Sequence, residues 1–488
     1  MPEVEESPAV GQGECDTAAA VLRSHPQVRV AAVEYVEDPG GAGAGLVARA
    51  VPEAGPGPVG TGTADAVVEA WQAVFDDCYE VAGLDDDPVT AGITGWTDSL
   101  TGQPVPAAQM AEWVDTTVAR LAALPHRRIL EIGAGTGLLM NPLVRALAPE
   151  VYTATDFSAR SVDLLRELAG ELAGPAPRTG ITVEQAEATA PPPGGPYDLV
   201  IVNSVVQYFP STLYLEEVLR QVLPSVVPGG HVFLGDLRHA GLREAFACLK
   251  HRRRSGADSS AVPVRVRVDR ELRLDGELSL LPDHLHALPG RFDRLTGVDT
   301  APRRGAAPSE MTLFRYDAVL HVGCSLPAGE AEWHDGGELT ADEVRARLAD
   351  AAAPFGFRGV PNARLAEALA LRGVRGEAGP ERGREVRPGA DPEQLARLVE
   401  KAGWTAGLRW TPGDGEGRYD LWCTPPGREG SAPCRTVPGA AGTAPSYRQP
   451  VFSPRGELSW ARAVLSAVNA ELPSGLALRQ LSAVTALP

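Results

Sequence analysis

Three apolar runs in this chain end in residues fit for chemistry. Ile129-Leu130-Glu131-Ile132 leads into Gly133-Ala134-Gly135-Thr136-Gly137. Glycine has no Cβ, so such a turn lets the backbone come close to a bound nucleotide. Glu131 stands two residues before the first glycine, where a carboxylate would repel a pyrophosphate. The spacing is G-x-G-x-G, not the G-x-G-x-x-G of dinucleotide sites. Glu131, Gly133, Ala134, Gly135 and Gly137 therefore suit a neutral or cationic nucleotide, with S-adenosylmethionine the first candidate. The second run ends in Thr155-Asp156-Phe157-Ser158. Asp156 can accept both hydroxyls of a ribose, with Phe157 beside it. An acid here also fits a dinucleotide fold or a helix N-cap. The third run ends in Asn203-Ser204, where the methionine half of such a cofactor would lie.

Other candidates surround these. Glu187, in Gln185-Ala186-Glu187-Ala188-Thr189, could meet an adenine amino group or be a plain surface residue. On the acceptor side stand Asn203, Tyr208, Asp236, His239 and Glu277. Tyr208 could equally be core, Asp236 and Arg238 a structural ion pair, and His239 a cap or surface residue rather than a base. Methyl transfer from a sulfonium is an in-line displacement, for which positioning of the nucleophile dominates.

The elements that would position these groups alternate. Strands are expected at 129–132, 151–155, 181–185, 197–203 and 230–235, and helices at 138–147, 159–172 and 214–223. That alternation implies a parallel, doubly wound sheet, whose ligands sit beyond the carboxyl ends of the strands. Ahead of it, Val67, Val68, Trp71, Val74, Phe75 and Cys78 follow helical spacing, and Pro106 opens a helix holding Met110, Trp113, Val114, Thr117 and Leu121. Val264-Arg265-Val266-Arg267-Val268 alternates as a strand would, and so does 314–322. Residues 325–424 form a smaller α/β part, with a Thr340-x-x-Glu343 capping box and an Asp391-Pro392 cap ahead of its helices. Strands are expected at 28–36 and 46–51, a short helix at 18–24 after a disordered start, Gly/Pro linkers at 55–62 and 425–450, and a last helix (460–472) and strand (481–487).

Composition bounds the class. The 488 residues carry a net charge of −18, which excludes a nucleic-acid partner. The dense basic run His251-Arg252-Arg253-Arg254 reads as a solvated loop after a helix. Six cysteines are scattered without a C-x-x-C pair, so neither a disulfide framework nor a zinc site is expected. The acidic N-terminus is no signal peptide, and no run nears the ~20 apolar residues of a membrane span. A cytoplasmic protein with no metal follows.

Longer motifs then resemble the methyltransferase domain of nonribosomal peptide synthetases. They are N-S-V-V-Q-Y-F-P-S-x-x-Y-L from Asn203, G-G-H-V-F-L-G-D-L-R from Gly229, F-R-Y-D-A-V-L-H-V from Phe314, W-x-x-x-F-D-x-x-Y from Trp71 and G-W-T-D-S-L-T-G-Q-P-V-P from Gly95. The resemblance covers about 65–424, with a core at 127–240, an insert and lid at 241–324 and the smaller part at 325–424. The flanks, 1–64 and 451–488, resemble pieces of an adenylation domain's C-terminal subdomain, as where a methyltransferase interrupts such a domain. The adenylation core and its nucleotide motifs are absent from this sequence. Thr97, Leu100, Ala188-Thr189-Ala190 and Leu281-Pro282-Asp283-His284-Leu285 depart from the family's usual residues.

The resemblance implies a class I, Rossmann-like α/β fold with a helical N-terminal lid. It implies S-adenosylmethionine as cofactor and an aminoacyl or peptidyl thioester on a carrier protein as substrate, with an adenylation domain supplied in trans. Backbone nitrogen is the expected acceptor; a side-chain oxygen or sulfur, or a non-catalytic docking scaffold, are the alternatives. With a free α-amine pKa of roughly 7.7–8.0, about a tenth of the amine is neutral at pH 7, so an orienting hydrogen-bond acceptor would suffice in place of a strong base.

Overall fold

In the computed structural model the described residues are 12–25, 28–36, 45–52, 67–69, 71–72, 75–76, 96–173, 178–255, 264–324, 331–373, 389–428, 464–465, 468–473 and 478–483. Both expected linkers, all but 425–428, lie outside them, as do Gly95, Cys78, Tyr79 and Cys434. The chain divides into two compact units, one of 1–69, 274–276 and 444–488, the other of 70–273 and 277–443.

The first unit opens with a helix, Gln12–Ser24, longer than the 18–24 expected and running through residues expected to be disordered. Strands β1 (Val28–Val36) and β2 (Gly45–Pro52) follow as an antiparallel pair.

In the second unit the alternation produces the sheet it predicts. Its strands are β3 (Arg128–Ile132), β4 (Val151–Asp156), β5 (Gly180–Gln185), β6 (Tyr197–Asn203), β7 (Val226–Arg238), β8 (Leu295–Pro302) and β9 (Arg315–Val322). Their order is β5-β4-β3-β6-β7-β9-β8. The first five run parallel; β9 is antiparallel to both β7 and β8. Leu199, Val200, Ile201 and Val202 of β6 are all fully buried, because helices cover both faces. One face packs under the helices Thr212–Val222 and Arg243–Ser255, the other under Ala107–Ala122, Met140–Leu147 and Ala159–Ala173. Pro106 begins Ala107–Ala122, and Met110, Trp113, Thr117 and Leu121 are its buried residues.

A smaller sheet completes this unit: β10 (Glu332–Asp335), β11 (Phe355–Val360), β12 (Thr405–Trp410) and β13 (Tyr419–Thr424), in the order β10-β11-β13-β12. The Asp391 cap forms, and of the expected capping box the Thr340 half forms. Thr340 Oγ1 accepts from Glu343 N at 3.2 Å, and Asp391 Oδ1 from Glu393 N and Gln394 N at 2.8 and 3.1 Å. The last strand, β14 (Leu478–Ala483), begins before the expected 481–487 and returns to the first unit, where it pairs parallel to β2.

Two expectations fail. Residues 264–268 are not a strand but the start of the helix Val264–Leu274. Val264 and Val266 are exposed; Val268 and Leu272, four apart, meet Ala247, Cys248 and Leu371. Five residues of Val-Arg alternation cannot separate the two periods. The basic run 251–254 is not a loop but the last turns of Arg243–Ser255. Lys250 and His251 both pair with Glu271 there, and Arg253 with Glu367.

Candidate active site

The glycine turn lies past the end of β3. Gly133, Gly135 and Gly137 all take positive φ, at 73°, 57° and 81°. Gly133 N and Ala134 N donate to Thr155 O at 2.8 and 2.9 Å, which ties the turn to β4. The turn runs on past Leu138, and its helix starts at Met140.

Asp156 ends β4 and reaches back to this turn. Its carboxylate accepts from Gly135 N and Ser158 N, both at 2.9 Å. It thus clamps the turn and the start of the next segment, while the N-cap of the helix Ala159–Ala173 is Ser158, whose Oγ accepts from Ser161 N at 3.2 Å; the remaining lone pairs of Asp156 can still accept hydroxyls. Burial raises its pKa despite these donors. Phe157 follows, half-buried; its carbonyl accepts from Gln72 Nε2 and Gln185 Nε2, each at 3.0 Å. Ser158 Oγ donates to Asp76. Gln72 and Asp76 thereby hold their helical stretch over the carboxyl edge, and its Trp71 and Phe75 flank Tyr208 at 4.5 and 5.0 Å between ring centroids.

Glu131 points into the core rather than outward. It is 3% exposed, and Tyr152 Oη donates to its Oε2 at 2.6 Å. Burial pushes its pKa up to about 7, against the pull of that hydrogen bond. An unfolded Glu titrates near 4.5. Between these values the native state holds the extra proton, so this contribution to stability is full below pH 4.5 and is lost as pH rises through 7. The span corresponds to about 3 kcal/mol. Glu131→Gln keeps an acceptor for Tyr152 without the charge. It is expected to be more stable than the parent at pH 8 and equal to it at pH 4.5, as urea melts at the two pH values would read. A constant difference across that range would mean that Glu131 does not titrate there.

The carboxyl ends of β6 and β7 carry two residues in a left-handed backbone, Ser204 (φ 57°) and Asp236 (φ 59°). Non-glycine residues rarely sit there, and such strain collects at functional sites. Ser204 Oγ donates to Asp236 Oδ2 at 3.0 Å and accepts from Asn203 Nδ2 at 3.2 Å. Asn203 Oδ1 and Asp236 Oδ1 are buried without a hydrogen-bond partner. Gly235 leaves room for Asn203: a Cβ there would stand 2.0 Å from Asn203 Oδ1. Gly235→Ala is expected to fold, to expel the Asn203 side chain, and to lower turnover on the order of 100-fold; unchanged turnover would remove Asn203 from the site.

Asp236 does not pair with Arg238. Arg315 Nη1 donates to Asp236 Oδ2 at 2.8 Å, and Arg315 Nη2 to Glu310 Oε1 at 2.6 Å. Burial opposes the Glu310 charge, yet Arg315 holds its carboxyl below the usual range. Arg303 Nη1 reaches Asp317 Oδ1 at 2.7 Å, and the same oxygen accepts from Asp236 N at 2.9 Å. Arg303, Glu310, Arg315 and Asp317 are thus the neighbours that sequence reasoning missed. Arg315 and Asp317 were visible in F-R-Y-D as charges inside an otherwise apolar strand. Arg238 pairs instead with Glu277 at 3.0 Å. Leu278 N bonds Gln207 O at 2.7 Å, which brings Glu277 beside Tyr208. Burial pushes Tyr208 up to about 12, so it stays a phenol.

His239 stands apart from this group. Its ring is buried 4.9 Å from Trp410 and 5.7 Å from Tyr316, with neither nitrogen hydrogen-bonded. Burial lowers its pKa to about 4. Taking a proton from an ammonium of pKa roughly 8 would cost about 5 kcal/mol. The structure therefore corrects its reading as a base, and as a surface residue too. Glu187 is exposed past β5. Trp113 is core, beneath the Arg303 guanidinium at 4.9 Å.

The donor set fits an adenosyl sulfonium. Three bare positive-φ glycines, an acid that can accept hydroxyls, and aromatic faces that favour a cation converge on one edge. A family profile described as "Methyltransferase domain" matches residues 130–232. Chondramide synthase of Chondromyces crocatus is 35% identical over 445 residues, 86% of this chain and 11% of that protein. A nonribosomal peptide synthetase of Salinispora arenicola is 36% identical over 358 residues, 73% of this chain and 4% of that protein. The chain thus spans about a tenth or less of these relatives. Magnesium protoporphyrin IX methyltransferase of Synechocystis PCC 6803 overlaps 44% of this chain and 84% of its own at 18% identity and a TM-score of 0.31. Strand order and the profile over residues 130–232 give the larger unit the fold of a class I, S-adenosylmethionine-dependent methyltransferase, and its sequence is similar to stretches of nonribosomal peptide synthetases.

Proposed function

We propose that the chain methylates the free α-amine of an aminoacyl thioester carried on a carrier protein. The observation that carries this reading is the pair of buried acceptors, Asn203 Oδ1 and Asp236 Oδ1, on adjacent strand ends. A neutral amine attacks through its lone pair and has two N–H bonds left to donate; a hydroxyl has one and a thiolate none. Two acceptors therefore favour nitrogen over a side-chain oxygen or sulfur.

Bound S-adenosylmethionine supplies a methyl group already activated on a cationic sulfur. The Gly133–Gly137 turn gives the cofactor its backbone cradle, and Asp156 gives it carboxylate oxygens. Asn203 and Asp236 orient the amine, and Trp71, Phe75 and Tyr208 exclude water. Because the amine is partly neutral at pH 7, positioning rather than strong base catalysis supplies the rate. Strands from both ends of the chain sharing one sheet supports reading the flanks as one interrupted adenylation subdomain.

Among the described residues no helix is long and apolar enough to cross a membrane. The test has two stages. Calorimetry should show one S-adenosylmethionine bound per chain; no binding sinks the enzyme reading. Mass spectrometry of a carrier-loaded amino acid should then show one added methyl on nitrogen, and an N-acetylated substrate that still gains it would overturn the choice of nitrogen.

A further inference from the structure

A second cluster lies away from the carboxyl edge. His231 of β7 and His321 of β9 are direct cross-strand partners. Their rings meet at 4.9 Å between centroids and 76° between planes. Cys324 follows His321 by three residues, and one ring nitrogen of each histidine and the Cys324 sulfur all lie within 4.8 Å of one another. His231 is 8% exposed, and its Nδ1 is buried without a hydrogen-bond partner. An unpaired buried ring nitrogen is a cost that a bound ion removes. His321 Nε2 lies 2.9 Å from Asp299 Oδ2 on β8. A carboxylate behind an imidazole fixes the ring and its tautomer and leaves the other nitrogen's lone pair free to ligate.

We infer that His231, His321 and Cys324 form a tetrahedral site for a zinc-class divalent ion, with Asp299 orienting His321 and the fourth position open to water. Two imidazoles and a thiolate are a ligand set for borderline-soft ions. Zn–N of about 2.0–2.1 Å and Zn–S of about 2.3 Å put tetrahedral ligand atoms about 3.3–3.6 Å apart. From the 4.8 Å limit the cluster need contract by about 1.2–1.5 Å at most, through rotation of the half-buried Cys324 side chain and small turns of the two imidazoles. On binding, the ion takes the thiolate sulfur and both nitrogen lone pairs, and the thiol proton leaves to solvent.

The site is structural. Asp236 lies five residues along β7 from His231, about 16 Å at strand rise. The ion would clip β7 to β9 and fix the point where the chain leaves the seven-stranded sheet. Ligands 90 positions apart leave no motif, and the cluster comes together only when the strands pair.

The tag-free full chain should be titrated with Co²⁺. One equivalent is expected to bind with thiolate-to-cobalt charge-transfer absorption in the near ultraviolet, and to raise the melting temperature. Cys324→Ser should abolish the absorption, and His321→Asn should weaken binding at least tenfold. S-adenosylmethionine affinity should stay the same in both variants, which shows that they fold and that the site is separate. A folded parent without the absorption, or absorption that survives Cys324→Ser and so belongs to another thiol, overturns the proposal.

Discussion

Asp236→Asn is expected to lower turnover on carrier-bound substrate by 100-fold or more while S-adenosylmethionine affinity changes by less than about threefold. Asparagine tolerates the left-handed backbone at this position, so the turn survives. The charge does not. Arg315 keeps Glu310 but loses its bond to Asp236, Arg303 keeps Asp317 but loses the Asp236 Oδ1 charge 3.9 Å from its Nη1, and the dipole that fixes Ser204 Oγ weakens. A misplaced acceptor costs rate, because a preorganised group acts on the transition state more than on the ground state. Asp236→Ala should be worse in another way. It places a Cβ-bearing residue in the left-handed region without a side-chain bond, and it removes the acceptor of the Arg315 and Ser204 hydrogen bonds, which lowers the melting temperature. Steady-state turnover beside thermal melts separates the two variants. Full turnover by folded Asp236→Asn would end its assignment as an orienting group.

Gly135→Val and Asp156→Ala are each expected to weaken S-adenosylmethionine binding by more than 100-fold and to leave the far-ultraviolet circular dichroism close to the parent's. Valine is β-branched, and φ of 57° at Gly135 is an outlier for it. Asp156→Ala removes the acceptor shared by Gly135 N and Ser158 N, so the turn loses its clamp. Two unsatisfied N–H groups cost about 1–3 kcal/mol each, which lowers the melting temperature without unfolding the domain. Calorimetric titration reads the outcome; unchanged affinity in both variants would mean that the cofactor lies elsewhere.

The seven-stranded sheet is largely legible because each central strand is a near-continuous apolar run closed by a polar residue. Tyr197–Asn203 is matched end to end. What lies outside the alternation is legible only in part. Residues 264–268 alternate over too short a span to separate the two periods. Arg315 and Asp317 sit in a strand whose alternation reads as a water-facing side, whereas both face Asp236 and Arg303. Local pattern says which side a residue faces, and not whether that side is solvent or a charged site. Glu131 shows the same limit: it is expected to face a nucleotide, whereas its side chain is buried and held by the Tyr152 hydroxyl on the neighbouring strand. His239 follows a strand end as a site residue would, and only the packing of Trp410 against it shows it is enclosed.

The pairing of β2 with β14 has a thermodynamic consequence. Those two strands are separated by several hundred residues, and joining them closes a loop of that length. For a random chain, (3/2)RT ln n makes such a closure cost about 5 kcal/mol. A folded interior replaces the random loop and lifts most of that cost. The three-stranded sheet is therefore stable on condition that the methyltransferase is folded, and the amides of β14 should be among the first to exchange with solvent when the larger unit is destabilised.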